Sequence, residues 1–92
     1  MDNSLDDETL KKLAYVSVST YRVKAIKSLQ DGQVKIPTKI AEEAGIRSNH
    51  ISKVLTELKD IGAAECINEE ARKGRLYRLT GLGEEISHNL DE

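Results

Sequence analysis

The spacing of three residues constrains this 92-residue chain more than any other feature. Counted from Pro37, Ala41, Gly45 and Ile51 stand at positions 5, 9 and 15. A small residue at the first site lets two helices approach closely. Glycine at the second takes the left-handed conformation of a tight turn, where a Cβ would be strained. A branched apolar residue at the third buries against the first helix. Ile40, Ala44, Ile46 and Val54 are apolar at the other positions that such a pair must bury. The segment 38–61 therefore reads as a short helix over 38–44, a turn at Gly45 and a longer helix over 48–61, stopped at Gly62. Ser48 stands where an N-cap is expected, and Ile51, Val54, Leu55, Leu58 and Ile61 form the apolar face.

That arrangement is a helix-turn-helix. Upstream, residues 5–18 read as a helix. Ser4 is placed to cap it, Asp7 completes a capping-box spacing, and Leu10, Leu13 and Ala14 recur at helical intervals. A second helix over 20–30 follows, capped by Ser19, with Tyr21, Ala25 and Leu29 on one face beside Ile26. Asp31-Gly32 ends it. Val34-Lys35-Ile36 is a short extended piece, since Pro37 disfavours helix just before it. Downstream, strands over 64–68 and 75–79 flank the charged loop 69–74, with Tyr77 and Leu79 on one face and Arg78 on the other. Thr80 then caps a last helix over 81–90 that carries Leu82, Ile86 and Leu90. No repeat or low-complexity linker divides the chain, so residues 1–92 read as one domain. The expected fold class is mainly α with a small β-hairpin wing, a winged helix-turn-helix.

Composition narrows the function. Apolar residues are 38% and charged residues 33%, with no Trp or Phe, so the core must come from Ile, Leu, Val and Ala. No stretch approaches the ~18 apolar residues of a membrane span, and the acidic N-terminus lacks a signal-peptide pattern. A cytoplasmic location is expected. The single cysteine, Cys66, excludes an internal disulfide and reads as a small strand residue. With only His50 and His88 beside it, no metal site is expected, and no cofactor. No nucleophile–base set, carboxylate pair or Gly-rich phosphate loop is present, which points to a binding module and not to an enzyme. The net charge of −2 hides a basic middle. Residues 1–8 and 84–92 each carry four acids and no base, leaving residues 9–83 at +6. Such a middle suits a polyanionic partner.

The segment from Tyr21 to Ile86 resembles the archaeal winged-helix transcriptional regulators related to the MarR and ArsR groups. Tyr21-Arg22, Ile40-Ala41-Glu42, His50-Ile51-Ser52 with Leu55 and Leu58, Gly62, and Glu65-Cys66-Ile67-Asn68 carry the resemblance, together with the run from Gly74 to Thr80 and Gly83. Its most distinctive part is Tyr-x-Leu-Thr-x-x-Gly at 77–83. The resemblance implies sequence-specific binding of double-stranded DNA, usually as a homodimer, in transcriptional regulation. There are two departures. Ala63 and Ala64 stand where family members carry large apolar residues, so a loosely packed hairpin base is expected. The chain is also shorter than MarR-type proteins, whose long flanking helices form a dimer and a ligand pocket. A pocket of that kind is not expected, and whether a small-molecule effector exists stays open.

In this docking mode the second helix of the unit enters the major groove and its N-terminal residues reach base edges. Arg47, Ser48, Asn49, His50, Ser52 and Lys53 form a polar run without an acid there. Arg can pair with guanine and Asn with adenine, while Ser48 divides between capping and contact. At the wing tip, Arg72, Lys73 and Arg75 are expected on phosphates or in the minor groove, opposed by Glu69 and Glu70. Thr38 and Lys39 open the short helix, where a phosphate fits. Arg22 divides between a structural salt bridge and a phosphate contact. Leu5, Leu10, Leu13, Val16 and Val18 of the first helix, with Leu82, Ile86 and Leu90 of the last, exceed what a three-helix core with a wing needs. They are expected to pair across a two-fold axis, giving a near-palindromic site. The alternative function is a winged-helix protein–protein interaction module in a larger assembly, which the acidic ends and the modest +6 would suit. Those ends could equally screen the DNA surface or recruit polymerase.

Overall fold

Helices α1 (Asp7–Ser17), α2 (Thr20–Leu29), α3 (Pro37–Ala44) and α4 (Ser48–Asp60) lead into strands β1 (Ala64–Cys66) and β2 (Tyr77–Leu79), and α5 (Gly81–Leu90) closes the order. The computed structural model describes residues 5–90. The expected cap Ser4 lies outside them. Asp6 caps α1 instead, its carboxylate accepting the Thr9 N–H at 2.9 Å, so the helix starts two residues later than the sequence suggested. Ser19 caps α2 as expected, accepting the Arg22 N–H at 3.2 Å.

The turn that the spacing demanded is present. Gly45 has φ 72° and ψ 34°, and Ile46 N–H donates back to Ala41 O at 2.9 Å. Ala41 and Ile51 are both buried at this junction. Ile26 and Leu29 of α2, Ile40 of α3, and Leu55 and Leu58 of α4 fill the centre with almost no exposure.

α1 packs across α5 and α2 of its own chain. This corrects the reading of those helices as surplus surface. Val16 and Ile86 are fully buried in the chain's own core, and Leu13, Leu82 and Leu90 pack against it. Leu5 is half-buried, and Leu10 is 46% exposed.

The wing is an antiparallel pair with Ala64 opposite Leu79, Glu65 opposite Arg78 and Cys66 opposite Tyr77. Its strands are shorter than 64–68 and 75–79 because the Asn68 side chain takes over the pairing. Its Oδ1 accepts the Leu76 N–H at 2.7 Å, and its Nδ2 donates to Gly74 O at 3.1 Å. A third segment joins from the other side: Lys35 exchanges both backbone hydrogen bonds with Tyr77 at 2.9 Å.

The base of the hairpin is tight, not loose. Ala63 and Ala64 are buried because α5 begins directly against them. Thr80 makes the joint: its N–H donates to Ala63 O at 3.1 Å, and its hydroxyl donates to Gly62 O at 2.5 Å and accepts the Gly83 N–H at 3.0 Å. A Cβ on Gly83 would collide with the Ala63 carbonyl and lie 3.1 Å from Leu79 Cδ2. Bulky residues at 63 and 64 are therefore replaced by close backbone approach. Gly83→Ala is expected to cost about 1–3 kcal/mol through overpacking, read as a lowered urea midpoint. An unchanged midpoint would refute this packing.

Candidate nucleic-acid interface

The first turns of α4 present one continuous polar surface. Arg47, not Ser48, is the N-cap residue, with extended ψ 144° and no side-chain capping bond. Ser48 is thus the first helical residue, and its hydroxyl is not committed to a cap. Arg47, Ser48, Asn49, His50, Ser52 and Lys53 are all exposed, while Ile51, Val54 and Leu55 hold the helix to the core. Among the described residues, the side chains of Arg47, Ser48, Asn49, Ser52 and Lys53 make no hydrogen bond or ion pair.

The first acid along the helix is Glu57, and it is neutralised in place. Arg22 Nε donates to Glu57 Oε1 at 3.1 Å, and Nη1 donates to Tyr15 O at 2.8 Å. The guanidinium carbon also lies 3.7 Å from the Tyr15 ring centroid. Of its two expected roles, Arg22 therefore takes the structural one. It also removes the one carboxylate that would oppose a polyanion on this stretch of α4.

On the wing side, a groove of about 460 Å³ runs between α3, α4 and the hairpin tip. It brings together Thr38, Ser52, Arg72, Lys73 and Arg75, which the sequence placed on three separate elements, over a wall formed by Ile36, Pro37 and Tyr77. Thr56, one turn beyond Ser52, also lines it. Sequence reading missed Thr56, although its i+4 spacing from Ser52 was signal enough. Arg72 and Lys73 are exposed at the tip. Arg75 is partly engaged inside the wing, its guanidinium donating to Ala71 O at 2.8 Å and Glu69 O at 3.0 Å. Lys39 is not among the lining residues and pairs with Glu43 at 3.8 Å. Glu69 accepts from Lys59 Nζ at 2.8 Å, which ties the wing to the end of α4. That bond holds the Glu69 carboxyl below its ordinary range and the Lys59 ammonium above its own.

Two further residues shape the site without having been singled out for it. Tyr21, expected on the core face of α2, is 37% exposed and its ring lies 5.3 Å from that of His50. Lys35 is buried between exposed Val34 and Ile36, the reverse of the burial their hydropathy suggests. Its ammonium donates to Ser28 O and Glu43 Oε1 and pairs with Asp31 at 2.9 Å. Burial opposes its charge, but the bonds to Glu43 and Asp31 outweigh it and raise its pKa. Lys35 thereby fastens the wing, through Tyr77, to α2 and α3.

No protein-family model matches the sequence, and no curated protein matches it. Solved structures do match. A MarR family transcriptional regulator from Silicibacter pomeroyi superposes with a TM-score of 0.71 at 20% identity, over 90% of this chain and 56% of that one. A MarR family regulator from Neisseria meningitidis gives 0.68 at 23% identity, over 89% and 59%. The chain has their winged-helix fold. NadR in complex with 4-hydroxyphenylacetate gives 0.67 at 13% identity, over 99% of this chain and 74% of that one. The chain thus spans little more than half the length of the first two structures. Among the described residues, no helix is long and apolar enough to cross a membrane, and no group of three His, Cys, Asp or Glu could hold a metal ion.

The Lys35 cluster makes the wing's attachment pH-dependent. Hydrogen bonds depress the carboxyls of Asp31, from the Gln33 N–H and then Lys35, and of Glu43, from Lys35 first. Carboxyls depressed in this way stabilise the fold above their ordinary values and lose that contribution as pH falls below those values, through their own lowered ones. The urea midpoint is expected to drop as pH falls below roughly 4, and to drop less steeply in Lys35→Met. Equal acid sensitivity in the two proteins would contradict this.

Proposed function

We propose that this chain binds double-stranded DNA sequence-specifically and regulates transcription, of the archaeal MarR- and ArsR-related kind that its sequence resembles. One observation carries the reading. The exposed side chains at the start of α4 are acid-free and, apart from the His50 ring against Tyr21, without partners among the described residues, and they adjoin the groove where Arg72 and Lys73 of the wing converge with Thr38 and Ser52. Charged side chains nearby are mostly paired, as Arg22 is with Glu57 and Lys59 with Glu69. The fold shared with solved MarR regulators supports the same reading.

In this mechanism α4 enters the major groove. Arg47, Asn49, His50, Ser52 and Lys53 face base edges and flanking phosphates, with Ser48 at the helix start. The wing lies on the adjacent backbone or minor groove through Arg72 and Lys73, and Thr38 meets a phosphate between them. Arg75 braces the tip from within. Lys39 adds charge at the start of α3. The protein-interaction alternative would need large apolar side chains exposed at 47–53, and Ile51, the one such residue there, is 3% exposed.

The proposal includes a homodimer, on a narrower surface than the sequence suggested. Leu10, Ala14 and Val18 are exposed at i, i+4 and i+8 of the first helix and its cap, with Val18 80% exposed. This stripe, with Leu5, takes over the pairing role from the buried Val16 and Ile86. Leu10→Glu is expected to shift the chain from dimer to monomer in sedimentation without loss of helicity. A monomeric wild type would remove the dimer from the proposal.

DNA binding is tested by fluorescence anisotropy on a mixed-sequence duplex of ~30 base pairs across a salt series. Counterion release lowers log K with log salt by about 0.9 per phosphate contacted. A slope equivalent to several contacts is expected, reduced by roughly two contacts in Arg72→Ala/Lys73→Ala. Negligible binding at low salt would overturn the reading.

A further inference from the structure

Tyr21 sits on the first turn of α2, outside the helix-turn-helix unit. Ala25 and Leu29, one and two turns further on the same face, are fully buried, yet Tyr21 is 37% exposed. The core stripe of α2 therefore runs out to the surface at the start of the recognition helix. There the Tyr21 ring meets the His50 imidazole at 5.3 Å between centroids, tilted by 38°. A notch of about 330 Å³ lies between the two helices on this side, lined in part by Ser19, Tyr21, His50 and Lys53. The ion pair in its wall, Arg22 with Glu57, is satisfied internally. Lys53 has no partner among the described residues.

An exposed histidine on a helix samples more than one χ1 well. Contact with an aromatic ring favours one of them. A side chain ordered before DNA arrives does not lose that freedom on binding, so affinity rises without a new contact to DNA. We infer that Tyr21 is a positioning residue for DNA recognition, holding His50 in the orientation in which it meets the duplex. The inference rests on the DNA-binding reading above. It extends the recognition surface to a residue that touches the DNA only through another side chain. It also gives the recognition helix two supported flanks, the wing groove on one side and the Tyr21–His50 contact on the other.

The test is a double-mutant cycle in DNA affinity. One probe is a ~30-base-pair duplex selected by the wild-type chain from a randomised pool, and the other is a mixed-sequence duplex of the same length. Ring contacts of this kind are worth about two- to tenfold in an equilibrium constant. Tyr21→Leu is expected to weaken binding to the selected duplex by that factor and to narrow its preference over the mixed one. Tyr21→Phe, which keeps the ring, should bind as wild type does. In a His50→Ala background, Tyr21→Leu should cost nothing more. Thermal midpoints of all variants report whether the fold is retained, and an effect that tracks a fallen midpoint overturns the positioning role. So does a Tyr21→Leu loss that persists undiminished with Ala at position 50. If Tyr21→Phe is as weak as Tyr21→Leu, the ring contact is not what matters and the inference fails. If the wild type selects no duplex at all, the DNA-binding reading falls first and this inference falls with it.

Discussion

The turn at Gly45 is the constraint on which the other features depend. Its left-handed backbone, at φ 72°, lets Ile46 N–H close back on Ala41 O and turns the chain so that α4 packs against α3. Ala41 is small enough for that contact, and Ile51 is branched enough to fill it. Once that packing is set, one face of α4 belongs to the core and the opposite face must be exposed. The polar run from Arg47 to Lys53 is thus a surface by geometry, and its lack of acids gives that surface its chemistry.

A wing is useful only if it is held at a definite distance from α4, and a two-stranded hairpin is marginal alone. Here three ties fix it. Thr80 bonds to the backbone at Gly62 and Ala63, Lys59 pairs with Glu69, and Lys35 adds a backbone bridge to Tyr77. The buried ammonium of Lys35 anchors that bridge to α2 and α3 through Ser28 and Glu43. The groove between the wing and α4 is therefore held from both sides, and Thr38 and Ser52 line it.

What was legible in the sequence was what local chemistry decides. Ala41, Gly45 and Ile51 announced the turn, Ser19 and Thr80 announced their caps, and Tyr77 and Leu79 announced the buried face of β2. What was not legible depends on partners distant in the chain. Nothing in the extended piece at 34–36 announces that Lys35 is buried, because Asp31, Glu43 and the Ser28 carbonyl that hold its ammonium come together only in the fold. Ala63 and Ala64 read as a packing defect until Gly83 is seen to bring a backbone where side chains would have been. Tyr21 follows the helical period into the core on paper, yet its end of the stripe lies beyond the core's edge, against His50. The apolar residues of α1 and α5 suggested a subunit interface because nothing local says that these helices pack on each other. The candidate site was legible residue by residue, but the commitment of Arg75 to the wing backbone was not.

In the proposed function, one face of the molecule, formed by the start of α4, the groove and the wing tip, receives duplex DNA. Amide chemical shifts of the labelled chain, titrated with a ~30-base-pair duplex, test it most directly. The largest changes are expected at 36–38, 47–56 and 72–75, with α1 and the second half of α5 little affected. Changes concentrated on α1 and α5, or none at any site, would contradict it.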